Sequence, residues 1–168
     1  MKNVTFPIGS VAVIDKVNGS FGFSDFLFGR IGGKAKDIKE CAKLFVYNRL
    51  TACVSVNRLR EVYPTELFKQ LGFDNMPAER KLYRSLERIG NNHKFVMERY
   101  QQLLKKYNFV SDKQFLDFSS SYFEGNKSEL GMLGYSRDSR PGKKQLVFGI
   151  STGINGIPTA LTIQKGNV

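Results

Sequence analysis

The hydrophobic pattern of this chain changes period at Ser111. Before it, apolar residues recur every three or four positions, the interval of a helix with one buried face. After it, they gather in short aromatic and β-branched runs separated by glycine-rich stretches, which is how strands and turns read. Helices in front and strands behind indicate an α+β chain rather than alternating βαβ units. The pattern divides the chain into a helical region, residues 1–110, and a strand region, residues 111–168.

In the helical region, residues 35–62 read as one long helix, because Ile38, Ala42, Phe45, Val46, Leu50 and Val54 keep a rough 3.6-residue period. Residues 64–71 fit a short helix, with Pro64 in its first turn and Gly72 just past its end. Pro77 opens the next, with Leu82, Tyr83, Leu86 and Ile89 as its apolar stripe and Gly90 as its stop. Asn91 and Asn92 are caps for a further helix that carries Val96, Tyr100, Leu103, Leu104 and Tyr107 on one face. Ahead of all these, Val11-Ala12-Val13-Ile14 fits either a strand or a helix, and Asn18-Gly19 and Gly32-Gly33 read as turns or loops.

In the strand region, residues 115–123 form a first strand, 145–152 a second and 158–164 a third, with Leu161 and Ile163 on one face of the third. Residues 125–142 read as a loop, and Asn155-Gly156 is a hairpin signal. Three antiparallel strands bury a core only against something else, so either the front helices or further chain must cover them.

Charge narrows the partners. Twenty-six Lys and Arg stand against fifteen Asp and Glu, a net +11, which suits a polyanion. Residues 1–110 hold 19 basic and 10 acidic side chains and residues 111–168 hold 7 and 5, so the surplus lies in front. Lys81, Arg84 and Arg88 share one face at helical spacing, which leaves two readings: a helix-turn-helix that contacts DNA, or a plain bundle with a solvated charged surface. No apolar run reaches the ~18–20 residues of a membrane span, and no signal peptide opens the chain, so the expected compartment is the cytoplasm. Cys41 and Cys53 form no C-x-x-C pair and His93 is the sole histidine; two buried thiols, not a zinc site, are expected.

Asp117 sits mid-strand between Leu116 and Phe118, where an unpaired carboxylate is costly. Strand alternation puts it on a face with Phe115, Ser119 and Ser121. It reads either as a ligand for a hard divalent cation or as an edge residue paired with an arginine. Arg137, Arg140, Lys143 and Lys144 follow as a basic cluster, read either as phosphate contacts near that metal position or as a solvated loop paired with Asp138.

Three blocks carry a family resemblance. Residues 117–125, Asp-Phe-Ser-Ser-Ser-Tyr-Phe-Glu-Gly, resemble the opening of the catalytic domain in prokaryotic DDE-type insertion-sequence transposases, whose pattern is Asp-x-Thr-[Thr/Ser]-x-Tyr-Phe-Glu-Gly. Residues 134–141, Gly-Tyr-Ser-Arg-Asp-Ser-Arg-Pro, resemble the family's Gly-Tyr-Ser-[Arg/Lys]-Asp-His-Arg-Pro, and Gly156-Ile157-Pro158 running to Gly166-Asn167 resembles its Gly-x-Pro…Gly-Asn segment. Ser119 replaces a usual Thr, Ser139 a usual His, and Gly142 a commonly acidic residue.

The resemblance implies the first three strands of an RNase H-like fold. It also implies metal-dependent DNA strand cleavage and transfer in complete homologues, where three carboxylates hold two Mg²⁺ or Mn²⁺ ions. Asp117 matches the first carboxylate; Asp138 and Glu124 belong to other positions of the motif. The expectation is therefore a truncated, nucleoid-associated protein that binds DNA at element ends. Its metal binding should be weak or absent, with a homodimer or a full-length transposase as possible partner. The alternatives are a non-catalytic remnant that acts as a structural or regulatory module or has no function, and an unrelated basic RNA-binding protein.

Overall fold

The computed structural model describes residues 8–31, 35–125, 127–134 and 142–167. Among them the fold is α+β, with seven α-helices followed by a four-stranded antiparallel sheet. The chain divides into two compact units, residues 1–99 and 100–168.

The first unit begins with α1 (Ile8–Phe21) and α2 (Phe23–Phe28). The Val11–Ile14 run is thus helical, and Asn18-Gly19 lies inside α1 instead of ending it. The break falls at Gly22, which takes the left-handed φ of 64°. Asn18 instead ties α2 back to α1, because its Oδ1 accepts hydrogen bonds from the Ser24 amide (3.0 Å) and hydroxyl (2.7 Å).

The long helix expected over residues 35–62 is α3 (Ala35–Leu50), a turn, one 3-10 turn (Val56–Arg58) and α4 (Leu59–Val62). Its buried side is also rotated from the expected one. Ile38, Cys41, Leu44, Tyr47 and Asn48 face inward, whereas Val46 and Leu50 are exposed. Cys53, placed on that helix by the sequence, sits in the loop with φ 49° and is exposed, so only Cys41 is a buried thiol. The short helix is α5 (Thr65–Gln70), with Pro64 as N-cap and Gly72 at φ 89°. The core joins Leu44 and Tyr47 of α3 to Leu59, Phe68 and Leu82.

Tyr47 donates its hydroxyl hydrogen to Asp15 on α1 (2.7 Å), and Lys43 reaches the same carboxylate at 3.3 Å. The Tyr47 bond holds the Asp15 carboxyl below its usual range, with partial burial opposing and Lys43 assisting. Burial, and then Asp15 itself, push the Tyr47 phenol up. A lowered carboxyl stabilises the fold above the ordinary Asp value near pH 4, and that contribution goes as pH falls through the lowered value. A raised phenol contributes below about pH 10 and is lost as pH rises through its raised value. Tyr47→Phe should therefore cost about 1 kcal/mol at pH 7. In urea denaturation at a series of pH values, the gap to wild type should narrow on the acid side; a gap independent of pH would show that the loss is not tied to the Asp15 charge.

The next two helices are α6 (Glu79–Asn91) and α7 (His93–Lys106), and the unit boundary falls within α7. Gly90 is inside α6, not its stop, and Asn92 closes α6 by donating its side-chain amide hydrogen to the Arg88 carbonyl (2.8 Å). Just past α7, Asn108 takes φ 55°, its N–H bonding the Lys105 carbonyl (3.1 Å) while Phe109 N–H bonds that of Leu104 (2.8 Å). This left-handed cap satisfies the last carbonyls and turns the chain into the sheet.

In the second unit, β1 (Gln114–Phe123) and β3 (Lys144–Gly153) pair along their full length, and β4 (Pro158–Lys165) pairs with β3 on its other side. The stretch read wholly as a loop contains β2 (Met132–Leu133), which pairs with Gln145 and Lys144 at the start of β3. With one edge of β3 taken by β1, β2 and β4 share the other. The β3–β4 connection is not a two-residue turn through Asn155-Gly156. Gly156 N–H bonds the Gly153 carbonyl (2.9 Å), Gly153 N–H bonds that of Ile157 (3.1 Å), and Gly156 alone takes a left-handed φ of 74°. This is a three-residue loop with glycine at its left-handed position.

Candidate nucleic-acid interface and the Asp117 face

α6 carries the densest row of cations among the described helices, with Arg80, Lys81, Arg84 and Arg88 at spacings of one, three and four. Leu82 and Ser85 are its buried residues, and the Ser85 hydroxyl donates to the Lys81 carbonyl (2.9 Å). Tyr83 and Leu86, expected in the apolar stripe, are exposed instead. Turning the helix this way sets the four cations to one side, along a shallow groove of about 500 Å³ that Ile38, Ala78 and Ser85 also line. Lys81 is half-buried, its ammonium 5.5 Å from the Phe73 ring centre. Arg80, Arg84 and Arg88 are exposed. The sequence reading missed Arg80, although its four-residue spacing from Arg84 is the signal that finds it.

The turn before α6 bears on the helix-turn-helix reading. Residues 71–78 separate α5 from α6, longer than the three or four residues of that motif. α6 therefore presents its cations without the short-turn geometry of a helix-turn-helix.

Asp117 lies in the middle of β1, opposite Ile150, and is exposed. Register places Phe115, Ser119, Phe148 and Ile150 on its face, with Leu161 and Ile163 beyond on β4. That face is apolar and open: Phe115 is 62% exposed, Leu161 50% and Ile163 56%. On the opposite face the Phe118 ring and the Thr162 methyl crowd Gly149, where a Cβ would come within 2.7 Å and 3.0 Å of them, while Leu116 is as exposed as Phe115. At one end of that face, Leu104 and Lys105 of α7 border a cleft with Gln114, Ser151 and Ala160.

Of the basic residues expected near Asp117, the two described ones, Lys143 and Lys144, lie away from it. Lys144 pairs with Phe123, six residues along β1 from Asp117, a separation of about 20 Å. Lys143 makes an ion pair with Glu124 at 2.6 Å. Arg137 and Arg140 lie outside the described residues. Among the described residues, no group of three or more His, Cys, Asp or Glu side chains gathers to hold a metal ion. No described helix is long and apolar enough to cross a membrane. No family model, curated protein or solved structure matches the chain.

Proposed function

We propose that this protein is a transposase-related DNA-binding protein whose α6 grips phosphates, placed ahead of an RNase H-like segment that begins at β1. The observation that carries DNA binding is the row of four cations along one open groove, in a chain with a net charge of +11. The RNase H-like part is supported by Asp117 in β1 and by the antiparallel β1–β3–β4 pairing, with the first matching block on β1 and the third along β4. The target implied by the resemblance is the ends of an insertion element, with a second copy or a full-length transposase as partner.

Asp117 by itself does not make a two-metal site, whose ions sit ~3.5–4 Å apart and need several facing ligands. Its described neighbours are apolar or hydroxyl-bearing, and Mg²⁺ held by one carboxylate fills its remaining positions with waters and substrate phosphates. The function proposed for this chain is therefore binding without strand cleavage. Nicking of DNA in Mg²⁺ or Mn²⁺ that disappears in Asp117→Asn would overturn that part.

The binding itself is tested by a salt titration. With up to four cations on phosphates, log affinity should fall against log salt with a slope of about −3 to −4. A flat response would remove phosphate contact, and with it the proposed function.

A further inference from the structure

We infer that α6 follows the sugar–phosphate backbone of one DNA strand, with Arg80, Arg84 and Arg88 on successive phosphates, and does not read bases. The inference rests on the DNA-binding reading above and specifies which part of the DNA this helix meets.

Positions 80, 84 and 88 are one helical turn apart, so each step rises ~6 Å along the axis and drifts slightly around it. That interval is comparable with the distance between neighbouring phosphates along one strand. All three arginines border the same groove, and Arg80 and Arg84 make no ion pair or hydrogen bond among the described residues. A guanidinium meets a phosphate through two parallel N–H bonds, a fit that a lysine lacks.

The groove's shape argues against base readout. A helix that enters the major groove must protrude, because its side chains have to reach base edges. Here the row borders a groove that Ile38 of the neighbouring α3 also lines. A concave cationic trough fits a projecting backbone ridge. The rest of α6 offers little to a base: Ser85 is buried and spends its hydroxyl on Lys81, and Tyr83, Leu86 and Glu87 project away from the row or along its margin.

The test uses the full chain and two duplexes of equal length and unrelated sequence, read by fluorescence anisotropy between about 0.05 and 0.2 M salt. Arg80→Gln, Arg84→Gln and Arg88→Gln should each weaken binding to both duplexes by the same roughly five- to tenfold at about 0.1 M salt and flatten the slope by about 0.9. Arg84→Lys should restore part of the affinity and the full slope. Loss confined to one duplex, or an unchanged slope, would overturn the backbone assignment while leaving DNA binding intact. No binding by the folded wild-type chain to either duplex would remove the DNA-binding reading and this inference together.

Discussion

Replacing Lys81, Arg84 and Arg88 together by glutamine should lower the affinity for duplex DNA on the order of a hundredfold at about 0.1 M salt. Each phosphate neutralised by a cation releases condensed counterions, a gain of nearly tenfold per contact at that ionic strength. Three full contacts would give several hundredfold. Lys81 contributes less, because it is half-buried and its ammonium already lies over Phe73. None of the three fills the core, which on α6 is supplied by Leu82, so circular dichroism should be unchanged. Affinity within about threefold of wild type would show that α6 is a solvated surface and that the net charge acts elsewhere.

The largest single-residue effect on stability is expected at Asn48. Its side-chain amide donates to the Val54 carbonyl (2.7 Å), and its Oδ1 accepts from the Val54 amide (3.1 Å). One carboxamide thus serves both polar groups of a backbone unit that no helix or strand satisfies. The Tyr63 hydroxyl lies 3.4 Å from the same oxygen and 2.6 Å from that of Thr51, which in turn donates to the Tyr47 carbonyl (2.7 Å). Removing the amide leaves a partly buried donor and acceptor without partners, a cost of about 2–3 kcal/mol. Asn48→Ala should lower the urea midpoint accordingly with an unchanged slope. Asn48→Asp, which sets a buried carboxylate oxygen against the Val54 carbonyl, should cost at least as much at neutral pH. A loss below about 0.5 kcal/mol would mean that water replaces these bonds.

Asn48 also explains the widest departure from the sequence reading. The apolar period of Ile38, Ala42, Phe45 and Leu50 carries on to Val54, and no glycine or proline interrupts it, so nothing in that pattern ends the helix at Leu50. The stop comes from a side chain that offers the backbone another partner, and asparagine mid-pattern gives that signal weakly. The same competition rotates the helix. Tyr47 and Asn48 take inner positions because their polar ends have bonds to make, and Val46 and Leu50 turn outward.

Charge was more legible than apolarity on α6. Tyr83 and Leu86 count as apolar by residue type but lie outside, whereas the basic face is where the spacing put it. In the sheet, the three long strands and the mid-strand place of Asp117 follow from the alternation of residue types. The two residues of β2 are too few to carry any period. The distance from Lys144 to Asp117 is a matter of register, and the sequence shows pairing only once both strands are aligned.

β1 has one further property. Among the described residues no strand pairs with its outer edge, and its ten residues contain neither proline nor a basic residue. A long edge of this kind is a template on which other chains can grow as fibrils. Asp117 is its sole charge and stands near its middle. That carboxylate stands as a gatekeeper, since a second strand laid along β1 would have to accommodate its charge. Neutralising Asp117 would therefore also strip the edge of its sole charge and favour strand addition along β1.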